Sequence, residues 1–156
     1  MNARVTNQDI HENKSRLNER HYVLASAYPT SLDRFQVGPA RGEINDRLRR
    51  FGDRFAFITY KSKDTGDAFF AIPFSRIRAE FTNDRITRND TASWNASIRG
   101  GWFHTSETQD RRVNVADCHG STALAQRIVR ASLLRTGGIA DMEMALNELC
   151  GANPNG

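Results

Sequence analysis

FAFITYK (55–61) and AFFAIPF (68–74) decide how this chain is read. They are two apolar, aromatic runs separated by SKDTGD (62–67), whose Asp and Gly suit a hairpin turn. In the first run Phe55, Phe57 and Thr59 fall on one face of a strand and Ala56, Ile58 and Tyr60 on the other. Both faces are therefore expected to be at least partly covered, as in a small barrel rather than an open sheet. Pro73 must end the ladder or sit where no backbone donor is needed. In FSRIRAEF (74–81) the spacing of Phe74, Ile77 and Phe81 predicts a helical turn or two on the barrel mouth, with Arg76, Arg78 and Glu80 facing outward.

Working outward, WNASIRGGWFHT (94–105) reads as two strands joined through Gly100-Gly101, a pair that supports a tight primed turn. RRVNVADC (111–118) predicts a further strand, Val113 and Val115 alternating with Arg112 and Asn114. From Ser121 to Arg135 the period becomes helical: Leu124, Ile128 and Leu134 form a stripe, Ser121 or Thr122 caps it, and Gly137-Gly138 close it. A second helix, ADMEMALNEL (140–149), uses Met142, Ala145, Leu146 and Leu149. Towards the N-terminus, EINDRLRRF (43–51) places Ile44, Leu48 and Phe51 on one helical face, with Gly52 at the C′ position and Arg47, Arg49 and Arg50 on the wet side. Gly38-Pro39 mark a break, HYVLASAY (21–28) is a first strand or packed connector, and Thr6 with Asp9 caps a helix through about Arg20.

These elements predict an α+β fold: an antiparallel, barrel-like core over residues 50–120, flanked by N-terminal helices and a C-terminal helical pair over 121–150. The 156 residues fit one domain with a single core. Mean hydropathy is −0.61, and no apolar run of about 18 residues exists to span a membrane. The opening MNARVTNQDIHENKSR lacks the apolar stretch of a secretory signal, so a cytoplasmic location is expected. Cys118 and Cys150 belong to no CxxC pair or Cys/His cluster of zinc-site spacing and read as two reduced thiols.

The chain carries a net charge of +4 and a pI of about 9.5. Its cations are 19 Arg and only 3 Lys. Arg offers a planar fork of donors matched to phosphates and guanine edges, although GC-rich codon usage produces the same bias. Segments 41–63 and 111–135 are each net +4, whereas 136–156 carries Asp141, Glu143 and Glu148 and no base. A basic body with an acidic end points to a localised basic face.

Motifs of chemistry are sparse. The strand lysine Lys61 has Thr59 two residues before it, where a metal-dependent nuclease of the common restriction type needs an acid. No HExxH, GxSxG, Walker A or GxGxxG pattern occurs, and no cofactor or metal site is expected. Cys118 and His119, as adjacent strand residues, would point to opposite faces and form no dyad. A nuclease would need acids such as Glu43, Asp46, Asp53 and Glu80 to converge from separate segments.

Binding is better supplied. ITRNDTASWN (86–95) gathers Arg88, Asn89, Thr91, Ser93, Trp94 and Asn95 around one loop and strand entry. Asn pairs bidentately with adenine and Arg with guanine, while hydroxyls bond phosphates or bases. Trp94 either stacks on a base or packs in the core. Cations recur across separate loops at Lys61/Lys63, Arg76/Arg78, Arg85/Arg88 and Arg111/Arg112.

The order FITYKSKDTGDAFFAIPFSRIRAEF (57–81), a polar loop, SWNASI (93–98) and RRVNVADC (111–118) resembles the B3-like DNA-binding pseudobarrel. That fold occurs in plant transcription factors and in effector domains of certain restriction endonucleases. The resemblance spans about residues 50–120 and rests on pattern, since the family has no short invariant motif. It implies a seven-stranded open barrel with two arms that wrap the DNA major groove, Lys61–Lys63 and Arg76/Arg78 near one arm and Arg85–Asn95 on the other. The expected function is sequence- or modification-dependent recognition of double-stranded DNA in a restriction or phage-defence setting. The expected partners are the DNA together with a second copy of the chain or a separate nuclease subunit. The alternatives are a metal-dependent nuclease with an atypical acidic site and a protein-interaction module that binds no nucleic acid.

Overall fold

The computed structural model describes residues 4–19, 22–28, 34–37, 41–61, 65–80, 96–104, 112–133 and 138–151. It begins with α1 (Asn7–Glu12), whose N-terminus is the expected capping box: the Thr6 hydroxyl accepts from the Asp9 amide, and the Asp9 carboxylate accepts from the Thr6 amide. The helix does not run on to Arg20. At Asn13 the side-chain Nδ2 donates to the Asp9 carbonyl at 2.7 Å, giving that carbonyl a partner outside the helical ladder. The chain then restarts as α2 (Lys14–Glu19).

Strand β1 (Val23–Tyr28), strand β2 (Arg34–Val37) and α3 (Arg41–Phe51) follow. Gly52 closes α3 in the left-handed region, φ 63°, its amide donating to Leu48. Strands β3 (Ala56–Lys61) and β4 (Phe70–Pro73) correspond to the two aromatic runs and pair antiparallel, as read from sequence. Pro73 is the last residue of β4 and the N-cap of α4 (Phe74–Ile77), so its missing donor costs the ladder nothing.

The first sheet has the order β1-β3-β4, and β1 runs parallel to β3, from Val23↔Ala56 to Tyr28↔Lys61. The pairs within 50–120 are antiparallel as expected, and the parallel partner is the strand from 21–28, outside that core. A parallel neighbour needs a crossover, which β2 and α3 supply. Ala56 to Tyr60 and Phe70 to Pro73 are all buried, so both faces of this sheet are covered. The second sheet is antiparallel, ordered β2-β5-β6-β7, with β5 (Ala96–Arg99), β6 (Trp102–His104) and β7 (Val113–Asn114). Gly100 and Gly101, φ 59° and 83°, make the expected two-residue primed turn between β5 and β6. The α+β class therefore stands, as two separate sheets with helices. No closed barrel forms among the described residues.

Three readings of local structure change. Arg47 does not face water: it is buried and donates to the carbonyls of Val23, Asn18 and Glu43 at 3.1, 3.1 and 3.2 Å. Periodicity put it on the polar side, but α2 and β1 close over that side. Arg76 and Glu80 also turn inward. After α4 the chain tightens into a 3-10 turn (Arg78–Glu80), whose i, i+3 eclipse lays Glu80 beside Ile77, and both are buried. The strand expected over 111–118 is only Val113–Asn114. The Asn114 Oδ1 accepts from the Ala116 amide and draws the chain into a second 3-10 turn (Ala116–Cys118).

Thr122 caps α5 (Ala123–Leu133), accepting from Ala125. Gly138 opens α6 (Gly138–Gly151) instead of closing α5. The two helices pack on each other and on β4. One continuous core results, with Phe55 stacked on Phe74 at 4.5 Å and Ile58, Phe103, Ile128 and Met142 fully enclosed. Among the described residues no helix is long and apolar enough to cross a membrane.

Candidate nucleic-acid interface

The two sheets differ in what they offer a ligand. In the first, β3 from Ala56 to Tyr60 and β4 are buried on both faces. The second is one-sided: Ile98 and Phe103 point into the core, while Arg99 is exposed and Trp102 half-exposed on the opposite face. A row of Cα partners crosses this sheet from Arg34 through Arg99 and Trp102 to Asn114. The Gly100-Gly101 turn fixes the register that sets Arg99 directly beside Trp102.

The guanidinium of Arg112 lies over the Trp102 ring, 4.3 Å from its centroid. An Arg over an indole is held by the ring quadrupole while its charge stays available. Arg112 is exposed, and strands β2, β5, β6 and β7 contain no Asp or Glu. Several arginines elsewhere are answered by acids, Arg4 by Asp67, Arg49 and Arg50 by Asp46, and Arg127 by Asp141 and Glu148. Among the described residues neither Arg99 nor Arg112 meets a carboxylate. Among the described residues this face thus carries positive charge, unmatched by a carboxylate, around an aromatic ring.

The residues singled out from sequence fall in different places. Lys63, Arg85, Arg88, Asn89, Thr91, Trp94, Asn95 and Arg111 lie outside the described residues. Lys61 ends β3 in the first sheet, half-buried, its amide donating to the Asn7 side chain at 2.9 Å. Arg78 is exposed on the first 3-10 turn. Arg76 is turned to the interior, only 5% of its side chain exposed, paired with Asp117 and within 3.3 Å of the Cys118 sulfur. Its charge is engaged inside the fold. Arg112 alone of the four described candidates joins the second-sheet face.

Arg99 and Trp102 were not picked out from sequence. The signal was present in WNASIRGGWFHT: a two-residue turn places Arg99 opposite Trp102, and alternation puts both on the face away from Ile98 and Phe103.

The acids Glu43, Asp46, Asp53 and Glu80 do not gather: among the described residues no group of three or more His, Cys, Asp or Glu side chains is placed to hold a metal ion. Cys118 is buried in a 3-10 turn, not on a strand. The neighbouring His119 ring instead meets Phe70 edge-on and accepts from the Ser121 amide. No family model, curated protein or solved structure matches this chain.

Proposed function

We propose that the chain binds DNA through the outer face of its second sheet. The observation that carries this reading is the Arg99–Trp102–Arg112 group: two exposed arginines that meet no carboxylate among the described residues, beside an indole, in a sheet whose strands contain no acid. Affinity for a nucleic acid comes first from cations that displace counterions from its phosphates, and such cations must not already be neutralised by the protein. Among the described residues Arg99 and Arg112 meet that condition; Arg127, paired with Asp141 and Glu148, does not.

Sequence- or modification-dependent reading of duplex DNA is the finer part of the proposal. Asn95 is bonded in the chain to Ala96, the first residue of β5, so Arg88, Asn89 and Asn95 belong to the segment that enters this sheet. On this reading they meet base edges while the sheet face holds phosphates. The B3-like resemblance, read over residues 50–120, belongs with the same proposal; that span holds five of the described strands, divided between two sheets.

The test is a fluorescence-anisotropy titration with random-sequence duplex at about 50 and 200 mM salt, where phosphate contacts reveal themselves. Binding should weaken steeply with salt, and Arg99→Gln should reduce the salt slope by about one. Arg127→Gln should leave the curve unchanged. Absence of binding at the lower salt, or equal effects of the two substitutions, would refute the reading.

A further inference from the structure

We infer that Arg112, laid over Trp102, is a stacking platform for one unpaired base, so that the second-sheet face holds nucleic acid where it is single-stranded or locally opened. The inference rests on the DNA-binding reading of that face and adds what the face takes.

The geometry differs from that of a simple phosphate contact. A phosphate-binding Arg gains most from a free fork aimed at oxygen atoms. Arg112 instead has the centre of its guanidinium 4.3 Å from the Trp102 ring centroid, which engages one side of the group with the indole. Arg112 is exposed, which on this inference leaves the side of the group away from the indole for a ligand. A planar, weakly hydrated cation anchored in this way has already lost much of its rotational freedom. It presents a flat surface on which another π-system can stack.

What stacks there must expose a face. In a paired duplex each base face is covered by its neighbours, and only edges reach the grooves. An unpaired base has a free face and stacks on aromatic side chains or on arginine planes, whatever its identity. The surroundings fit such a strand. Arg99 lies across from Trp102 in register and can meet the phosphate of the same nucleotide. Asn114 is Trp102's partner on the other side, on strands free of acids. The turn glycines next to Trp102 carry no side chain to obstruct the approach.

The test compares three labelled probes of equal length: a fully paired duplex, the same duplex with one bulged base, and the single strand. Two readouts apply. In a Trp94→Phe background, the remaining Trp102 emission should be quenched by the bulged and single-stranded probes and much less by the paired duplex. Independently, and with Trp94 intact, Arg112→Lys keeps the charge and removes the plane. It should lower the preference for single strand over paired duplex about tenfold, the scale of one lost base stack.

If all three probes bind with equal affinity and Arg112→Lys leaves their ratio unchanged, the stacking inference is overturned while the DNA-binding reading stands. If no probe binds even at about 50 mM salt, the DNA-binding reading fails and takes this inference with it.

Discussion

Gln126 on α5 holds both backbone groups of Val5: its Oε1 accepts from the Val5 amide at 2.7 Å and its Nε2 donates to the Val5 carbonyl at 2.9 Å. The side-chain amide does for Val5 what a neighbouring strand would do. The same Nε2 also donates to the Gly120 carbonyl at 2.7 Å. The residue is buried, so these groups have no water to fall back on. We expect Gln126→Leu to cost about 3 kcal/mol in urea unfolding, since it leaves the buried Val5 amide and carbonyl unpaired and leaves the Gly120 carbonyl to Arg4 alone. Gln126→Glu should be at least as damaging at neutral pH, because a carboxylate cannot donate to either carbonyl. A loss below about 1 kcal/mol for both would mean that the N-terminal segment finds other partners.

Gly120 is held tightly from the other side. A Cβ there would lie 2.1 Å from the Asp67 carbonyl oxygen and 2.7 Å from Phe69, while the Gly120 amide donates to Phe69. Gly120→Ala must therefore move backbone, and a loss of about 3 kcal/mol or more is expected. Gly42 supplies the contrast: nothing lies within 4 Å of its Cβ position, and it sits in α3. Gly42→Ala should stabilise by about 0.5–1 kcal/mol. Thermal and denaturant midpoints of the two variants should move in opposite directions.

Arg47 joins α2, β1 and α3 through three carbonyls. Burial pulls its proton affinity down, with Glu43 and Asp46 acting in the opposite sense. Arg47→Leu should cost about 3 kcal/mol, because the carbonyls lose their donors under cover. Arg50→Leu, which breaks only an exposed pair with Asp46, should stay within about 0.5 kcal/mol. Similar losses for both would show that Arg47 is not the joint.

Tyr60 is fully buried, its hydroxyl 3.1 Å from His11 Nδ1, and burial raises its phenol above the usual tyrosine range. A raised folded pKa gives stability that is complete below the unfolded value of about 10 and is lost as pH climbs beyond it. Absorbance titration should find a late-ionising tyrosine in the folded protein, and Tyr60→Phe should abolish that step. If the late step survives Tyr60→Phe, the buried hydroxyl is not its source.

What was legible in the sequence was local. The Thr6–Asp9 capping box, the glycine turn at 100–101, the C′ role of Gly52 and the stop at Pro73 each depend on residues a few positions apart, and each reads directly. The parallel β1–β3 pair was not legible. Apolar content marks a strand as buried but does not say which neighbour buries it. Arg47 and Arg76 were read as wet for the same reason: their positions on a helix are periodic, but the covering α2, β1 and Asp117 come from elsewhere in the chain. Arg112 is legible from the Arg111/Arg112 pair in the sequence. Arg99 and Trp102 become so only once cross-strand register is known.

Ile58 at the centre of the first sheet faces Ala71 on one side and Ala25 on the other, and those neighbours reach it by routes of unequal length. Strand β4 follows β3 after the short segment 62–69, whereas β2 and α3 stand in the chain between β1 and β3. Closing the longer loop costs more chain entropy, and non-local pairing is correspondingly late. Folding is expected to pair β3 with β4 before β1 docks. Ala71→Gly should then slow refolding, while Ala25→Gly should chiefly accelerate unfolding.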